Sequence, residues 1–287
     1  MTTPRPLVRS SRVLALALAA GTLLATAACS DGDTGAPSGS ETASTVAERG
    51  IAAQTASPTS TSPSASASPG PELTERGARQ ALITAEDLED DWTQADNPRE
   101  WRDSLLVGEV DVAAFLTGRS DASECQRLVD ALYDETLLGT PSGASALTGF
   151  QDGESRLLYQ VAAYDEADLD ESMRWLKSLP DTCDQFTLTG GDSGDRTVQV
   201  IGLKLPETGD ARQGLTMTVK GDSGGAPTTL TLDVAAVQLG ADAITVTNGG
   251  LDGASHDSTS AAVENGTERL QEVRAGRTPR PTPSGVS

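Results

Sequence analysis

The 287-residue chain has few of the side chains that most often carry catalytic or metal chemistry: one histidine, three cysteines and 3% aromatic residues. Zinc sites and activated nucleophiles depend on histidine and cysteine, so few positions are available for such chemistry. Basic residues are also scarce, because 21 lysines and arginines face 42 aspartates and glutamates, for a formal net charge of −21. A negative field of this kind repels phosphate backbones, and we expect no nucleic-acid partner.

Cofactor motifs and a complete catalytic set are also missing. The sequence has no phosphate-binding P-loop and no dinucleotide-binding glycine motif, so no cofactor is predicted. The segment Gly221–Gly225 resembles the residues around the nucleophile of chymotrypsin-like proteases. A serine nucleophile needs a base, and the one histidine, His256, follows Ser223 instead of preceding it as in that family. A tight glycine turn between strands at 215–220 and 228–239 explains the same residues. We expect no catalytic residue and no enzymatic activity, with an enzyme of unrecognised type as the remaining alternative.

Three acidic patterns bear on metal binding. His256-Asp257 has no second histidine and no nearby cysteine to complete a zinc set. The acidic glycine loops at 191–195 and 248–257 resemble calcium loops in composition, but lack their ligand spacing and their bidentate glutamate. The acidic run at 165–171 suits the positive end of a helix dipole, and we interpret it as capping. No metal site is therefore predicted.

The N-terminus has the parts of a bacterial secretion signal. A basic start with three arginines is followed by an apolar run from residue 13 to residue 28, which ends in two alanines. The apolar core of roughly 15 residues is short for a membrane span of about 20, which favours a cleaved signal over a retained helix. We predict that residues 1–28 are a signal peptide and that the mature chain begins at Cys29.

Cys29 and the residues before it resemble the lipobox recognised by lipoprotein signal peptidase. That motif usually has a leucine-like residue three positions before the cysteine, where this chain has Thr26. The resemblance implies that Cys29 is lipidated with fatty acyl chains such as palmitate. Stable attachment takes at least two such signals, so several chains would hold the protein at the outer face of the cell membrane. An ordinary cleaved signal and a freely secreted protein remain the alternative.

Composition divides the rest of the chain. Residues 29–71 are mostly Ser, Thr, Ala, Pro and Gly, with too few apolar side chains to offset the entropy of ordering, so we predict a disordered tether. Residues 72–276 are long enough for one domain with its own hydrophobic core. Residues 277–287 hold three prolines and are predicted to be a disordered tail.

Cys125 and Cys183 are the two cysteines that remain once Cys29 is assigned to lipid. An even pair in an extracytoplasmic compartment, where disulfides persist, predicts a bond between them. A metal pair or a reactive thiol is the alternative, although no histidine or third cysteine lies near either residue in the sequence.

Hydrophobic periodicity predicts an α+β domain. Apolar residues recur at helical spacing over 122–138, 166–179 and 259–274, and the second of these helices is expected to stop at Pro180. Residues 155–164 indicate a strand, and the C-terminal third alternates apolar and polar residues over several strands separated by glycine turns. We expect a single antiparallel sheet of about five or six strands, covered on one face by helices and carrying one disulfide. The other face is expected to be wet and threonine-rich.

All nine aromatic residues lie between Trp92 and Phe186, so an aromatic ligand platform has to be built in the first half of the domain. Trp92, Trp101 and Trp175 are the candidates. Packing in the core is the alternative role for each of them.

Scattered hydrophobic and cysteine positions over about residues 78–275 resemble the PknH-like extracellular sensor domains, which occur on actinobacterial receptor kinases and related lipoproteins. These positions are Leu82-Ile83-Thr84, Asp87-Leu88, Trp92, Cys125, the strand at 159–164, Trp175-Leu176, Cys183 and the strand at 243–247 before a helix. The resemblance implies an α+β domain with a ligand-accepting cleft outside the cell.

Two hypotheses about function follow. The first is a lipid-anchored, extracytoplasmic lipoprotein whose non-enzymatic, sensor-like domain binds a small-molecule or cell-wall ligand. The alternative is a cell-envelope scaffold or protein-interaction module without a small ligand, since the same tether and acidic domain would serve it. A deep, partly apolar cleft with converging polar groups favours the first hypothesis, and a flat, exposed apolar patch favours the second.

Overall fold

The computed structural model describes residues 72–88, 91–99, 106–107, 110–111, 115–133, 136–190, 194–251 and 253–280. The chain divides into two units, Met1–Pro63 and Ser64–Ser287, and all of the described residues belong to the second. The predicted signal peptide, the predicted lipidation site Cys29 and the predicted tether at 29–71 lie outside the described residues, as does the tail beyond residue 280.

The four helices with defined bounds are α1 (Glu75–Gln80), α2 (Ser123–Tyr133), α3 (Glu166–Thr182) and α4 (His256–Arg274). Polar caps set where two of them begin: Thr74 accepts a hydrogen bond from the Gly77 N–H at 3.1 Å, and Ser255 accepts one from the Ser258 N–H at 3.2 Å. The serine cap starts α4 three residues before the predicted start at Thr259, because hydrophobic spacing does not reveal a polar cap. Within the described ranges, no helix has both the length and the apolar character needed to span a bilayer.

Helix α3 continues through Pro180 to Thr182, so the predicted stop at Pro180 is wrong. A proline removes one backbone donor, here the one that would bond to the carbonyl of Leu176. Pro180 lies in the last turn of the helix, so the loss is confined to one hydrogen bond close to the C-terminal end. The final turn is completed by the Cys183 N–H, which donates to the Leu179 carbonyl at 2.8 Å.

One antiparallel sheet of eight strands forms the centre of the domain. Two further strands pair with each other outside this sheet. In chain order, all strands of the described residues are β1 (Thr93–Gln94), β2 (Leu106–Val107), β3 (Val110–Asp111), β4 (Ser145–Asp152), β5 (Ser155–Ala163), β6 (Gln185–Leu188), β7 (Arg196–Gly202), β8 (Ala211–Ser223), β9 (Ala226–Leu239) and β10 (Asp242–Gly250). The large sheet has the order β1-β4-β5-β10-β9-β8-β7-β6, and β2 pairs with β3 separately. Consecutive strands are mostly neighbours, while β10 lies between β5 and β9, which places the last strand at the centre.

The sheet has eight strands instead of the five or six expected, because two short strands and one strand of mixed composition give weak signals in the sequence. Strand β1 has two residues and β6 has four, too few for a period of two to be recognised. Strand β4 mixes threonine, glycine and glutamine with its apolar residues. By contrast, the predicted glycine turn between β8 and β9 is confirmed: Gly224 and Gly225 have φ of 60° and 84°, as a tight hairpin turn requires.

Helices cover both faces of the sheet, whereas coverage of one face was expected. On β9, Val234 and Ala236 belong to the core formed with α2 and α3, while Ala235 and Val237 belong to a second core formed with α1 and α4. Alternate residues of a strand point to opposite faces, so this part of β9 is buried on both sides. The solvent-exposed face that was expected is found on β7, where Thr197 and its neighbours on the same face are exposed.

Candidate functional site

A groove runs along α2, between that helix, the loop at 136–142 and the first half of α3. Two adjoining cavities form it, with volumes of about 620 Å³ and 270 Å³, and both are lined by Arg127, Gly139 and Thr140. Sites for small molecules usually measure roughly 300–1000 Å³. The larger cavity alone falls within that range, so the groove has the size of a ligand site.

Carboxylates and hydroxyls dominate the lining of the groove. Arg127 is the one cation among the described residues that line it. The carboxylates come from α2, the segment before it and the start of α3: Asp121, Asp130, Asp165, Asp168 and Glu171. This lining offers many hydrogen bonds within a negative field, which suits a neutral hydroxylated ligand or a cation and disfavours an anion.

The inner wall of the smaller cavity contains two neutral hydroxyl groups. Ser172 and Tyr164 are both buried, and the Ser172 hydroxyl donates to the Leu138 carbonyl at 3.3 Å, which ties α3 to the loop. Burial raises the pKa of Tyr164 above its ordinary value, so the phenol keeps its proton at neutral pH. The charged residues of the groove, including Arg127 and Asp168, are exposed. The groove is therefore charged at its rim and neutral inside.

Arg127 lies over the aromatic face of Trp175, with the guanidinium carbon 4.0 Å from the ring centroid. This cation–π contact orients the guanidinium, because the face of the indole ring carries partial negative charge. Arg127 forms no hydrogen bond or ion pair with any residue in the described ranges, so its N–H donors remain available. Arg127 is thus the positioned donor of the groove.

Gln126 organises the entrance to the larger cavity. Its side-chain carbonyl accepts a hydrogen bond from the Ser120 N–H at 2.6 Å, and its amide donates to the Gly118 carbonyl at 3.2 Å. The same amide donates to Asp130 Oδ1 at 2.8 Å, one helical turn further along α2. These bonds connect the segment before α2 to the helix itself, so that edge of the groove is held by polar contacts.

The disulfide between Cys125 and Cys183 joins the two helices that flank the groove. Cys125 lies in α2, two residues before Arg127, and Cys183 follows the last turn of α3. Both half-cystines are buried, with 1% of their surface exposed. The bond confirms the predicted pairing and removes the metal-pair and free-thiol alternatives for these two residues.

His256, the one histidine, belongs to a separate buried polar network. Its Nδ1 is hydrogen-bonded to Asp233 Oδ2 on β9, and Asp233 is completely buried. The Thr216 hydroxyl donates to Asp233 Oδ1 at 2.8 Å, and the Thr259 hydroxyl donates to Oδ2 at 3.3 Å. The Asn248 amide adds a bond to the Ser255 carbonyl at 2.9 Å. The network anchors the first turn of α4 to the sheet.

The protease-like arrangement is not formed. Thr216 pairs with Asp233 in the β8–β9 ladder, and Ser223 lies seven residues further along β8. At about 3.3 Å per residue this places Ser223 roughly 23 Å away from the position beside His256. The turn interpretation of Gly221–Gly225 is therefore the one that the structure supports.

The two tryptophans that the structure describes pack in the core. Trp92 is 6% exposed and donates through Nε1 to the Ser258 hydroxyl at 3.2 Å. Trp175 is 7% exposed, and its ring supports Arg127. Trp101 lies outside the described residues. Neither Trp92 nor Trp175 forms the aromatic platform considered from the sequence.

Neither Arg127 nor the loop at 136–142 is predicted from the sequence to belong to a site. One signal was present: Arg127 is a single basic residue on the polar side of a helix whose apolar side carries Cys125. The acidic run at 165–171 was interpreted as capping alone, yet three of its carboxylates line the groove and the N-cap residue Asp165 forms no side-chain cap bond. Helical spacing predicted the helices, and their packing created the site.

Comparison with known proteins found no protein-family model that matches the chain and no curated protein that matches it. One similar solved structure is the extracellular domain of PknH from Mycobacterium tuberculosis. The alignment covers 71% of this chain and 97% of that chain, with 10% sequence identity and a TM-score of 0.39. The structural neighbour is thus the domain whose family the sequence resembles, at a similarity too low to establish a common fold.

Proposed function

We propose that this protein is a membrane-anchored, extracytoplasmic lipoprotein whose folded domain is a non-enzymatic, sensor-like ligand-binding module. The observation that carries the proposal is the groove along α2, with Arg127 held over Trp175 between five carboxylates. The groove combines a ligand-sized volume with converging polar groups, two features expected of a binding site.

The disulfide supports the extracytoplasmic location. Disulfides form and persist outside the cytoplasm and are rare within it, and Cys125–Cys183 is bonded. The third cysteine, Cys29, directly follows the predicted signal peptide at 1–28. Lipidation of Cys29 gives that residue a role and attaches the domain to the membrane through the predicted tether.

The surface supports ligand binding more than a scaffold role. A docking face usually presents a contiguous apolar patch. Among the described residues, Ile201 is the only large hydrophobic side chain that is exposed, at 52%. A single exposed isoleucine does not form such a patch, whereas the groove offers a concave surface with many polar groups.

Native mass spectrometry of the protein, extracted gently from its own membrane, tests the proposal. We expect a polypeptide that begins at an acylated Cys29, contains one disulfide and carries a co-purifying small-molecule mass. An acylated polypeptide without an adduct would favour the scaffold alternative. A polypeptide without acyl chains would contradict the lipoprotein assignment.

Two variants locate the adduct. Arg127→Ala removes the positioned donor of the groove and should reduce the adduct strongly. Arg174→Ala, which removes an exposed arginine from α3 outside the groove lining, should retain it. Equal retention in both variants would show that the groove is not the binding site.

A further inference from the structure

A second cavity lies at the other end of α3, between the last turns of that helix and the segment that joins β7 to β8. Its volume is about 290 Å³. Three basic residues line it: Lys177 on α3, Lys204 after β7 and Arg212 on β8. Glu207 is the one acidic residue among its lining residues.

This composition is the reverse of that of the whole chain. The protein has 21 basic and 42 acidic residues, so a cluster of three cations with one carboxylate runs against its average. Lysine is especially scarce, since the chain has only Lys177, Lys204 and Lys220. Two of these three lysines line the same small cavity. The lining of this cavity is therefore locally positive within a chain of net negative charge.

Two of the three cations have no ion-pair partner among the residues that the structure describes. Arg212 pairs with Glu207 at 3.3 Å, but the Glu207 side chain is 88% exposed. An exposed ion pair of this kind contributes little to stability, because water and salt compete with it. Lys177 and Lys204 form no ion pair or hydrogen bond with any residue that the structure describes. Their ammonium groups are available to a bound anion.

The backbone around the cavity is held in place. The Leu203 N–H donates to the Gly214 carbonyl at 2.9 Å, which fixes the segment after β7 against β8. A side chain at position 214 would meet the Leu203 carbonyl, so only glycine permits this close approach. Leu205 and Leu215 are buried, and they contribute apolar surface to the lining. The cavity is therefore preformed, which reduces the entropy lost on binding.

We propose that this cavity binds a small multivalent anion that carries carboxylate or phosphate groups. Two ammonium groups and a guanidinium supply charge and donors for such groups, because arginine pairs with them in a two-pronged geometry and lysine acts as a point charge. The limited volume restricts the ligand to a small molecule, and the acidic surface around it repels long polyanions. This site is separate from the groove along α2, whose carboxylates disfavour anions.

Isothermal titration calorimetry of the purified full chain with citrate and with inorganic phosphate at low ionic strength tests the proposal. We expect binding of at least one of the two anions, weakened as salt is added. Binding of citrate alone would identify a carboxylate ligand, and binding of phosphate a phosphorylated one. Absence of binding of both anions would overturn the proposal.

The third lysine supplies a matched control. Lys177→Gln combined with Lys204→Gln should weaken binding about tenfold or more, because two of the three cations are lost. Lys220→Gln removes one lysine charge from an exposed position outside the cavity lining and should change the affinity less than about twofold, whereas Lys177→Gln alone, which removes the same single charge from the cavity, should weaken binding more than that. An equal loss of affinity in the two kinds of variant would show that anion binding depends on the overall charge of the protein and not on this cavity.

A gain of affinity provides an independent check that does not depend on removing a cation. Glu207→Gln removes the one carboxylate of the cavity lining and should tighten binding several-fold, with no effect on folding because the side chain is exposed. Weaker or unchanged binding in this variant would contradict the proposed electrostatics. Arg127→Ala should leave anion binding unchanged, so the test of this cavity is independent of the test of the groove along α2.

Discussion

His256 Nδ1 is hydrogen-bonded to the Asp233 carboxylate, which joins the first residue of α4 to the centre of β9. Asp233 is completely buried, while the His256 side chain is 58% exposed. The carboxylate therefore depends on Thr216 and Thr259, as well as on the imidazole, for its remaining hydrogen bonds. The hydrogen bonds of this buried acid help to hold the last helix to the sheet.

Replacing the buried acid should destabilise the domain. Asp233→Ala leaves the buried Thr216 hydroxyl without its acceptor and removes the partner of His256, so we expect the free energy of unfolding to fall by about 3 kcal/mol. Urea unfolding followed by circular dichroism measures the change. Asp222→Ala, at the exposed end of β8, is the control and should change it by less than about 0.5 kcal/mol. A similar result for both variants would contradict a structural role for the network.

Removing the disulfide should destabilise the domain and disturb the groove. Cys125→Ser combined with Cys183→Ser removes a cross-link between residues that are 58 positions apart. On the chain-entropy model, such a cross-link adds roughly 4 kcal/mol to the free energy of unfolding. Thermal unfolding of this variant and of Cys29→Ser provides the comparison. We expect a large decrease in Tm for the double variant and none for Cys29→Ser, because Cys29 lies outside the folded domain predicted at 72–276. An unchanged Tm in the double variant would show that the bond adds no stability.

Two buried tyrosines predict a loss of stability in alkali. Burial raises the pKa of Tyr159 and of Tyr164 above the ordinary value of about 10. The folded protein therefore keeps two phenol protons that the unfolded chain releases, so this stability is complete below pH ~10 and is lost as the pH rises further.

Absorbance at 295 nm during an alkaline titration measures this effect. The chain has three tyrosines, so at most one should ionise before the protein unfolds. Circular dichroism recorded in parallel identifies the pH of unfolding. Ionisation of all three tyrosines in the folded protein would contradict the burial of Tyr159, whose hydroxyl donates to the Ala81 carbonyl at 3.3 Å.

Gly266 in α4 provides a test in which helix propensity and packing predict opposite results. Alanine in place of glycine usually stabilises a helix by about 1 kcal/mol. Here a Cβ at position 266 would overlap the Tyr159 ring, which packs directly against the helix backbone. We expect Gly266→Ala to lower the free energy of unfolding by roughly 2 kcal/mol, because the packing conflict exceeds the gain in propensity.

Gln271→Ala in the same helix is the control, since Gln271 is exposed and its substitution should be close to neutral. Chemical unfolding of both variants provides the measurement. A stabilised Gly266→Ala protein would show that Tyr159 does not pack against α4 as described.

Local signals in the sequence were sufficient for several features of the domain. Cys125 and Cys183 were predicted to pair because they are the two cysteines that remain after Cys29, and they are bonded. The two consecutive glycines at 224–225 predicted the turn between β8 and β9, since few other residues adopt a positive φ. Alternation of apolar and polar residues predicted the long strands, but not β1 or β6, which are too short to show a period.

Contacts between residues that are distant in the sequence decided the rest. Arg127 and Trp175 meet because the disulfide and the sheet bring α2 beside α3, and nothing near either residue in the sequence indicates the other. Lys177, Lys204 and Arg212 come from a helix, a connecting segment and a strand, so their cavity exists only after these elements pack.

The sequence by itself determined the fold class, the cysteine pairing and the acidic character, because each depends on composition or on residues close together in the chain. The tertiary structure alone decided the number of strands, the burial of both sheet faces and the positions of the two cavities. These depend on which side chains packing brings together, and neither periodicity nor composition records such long-range neighbours.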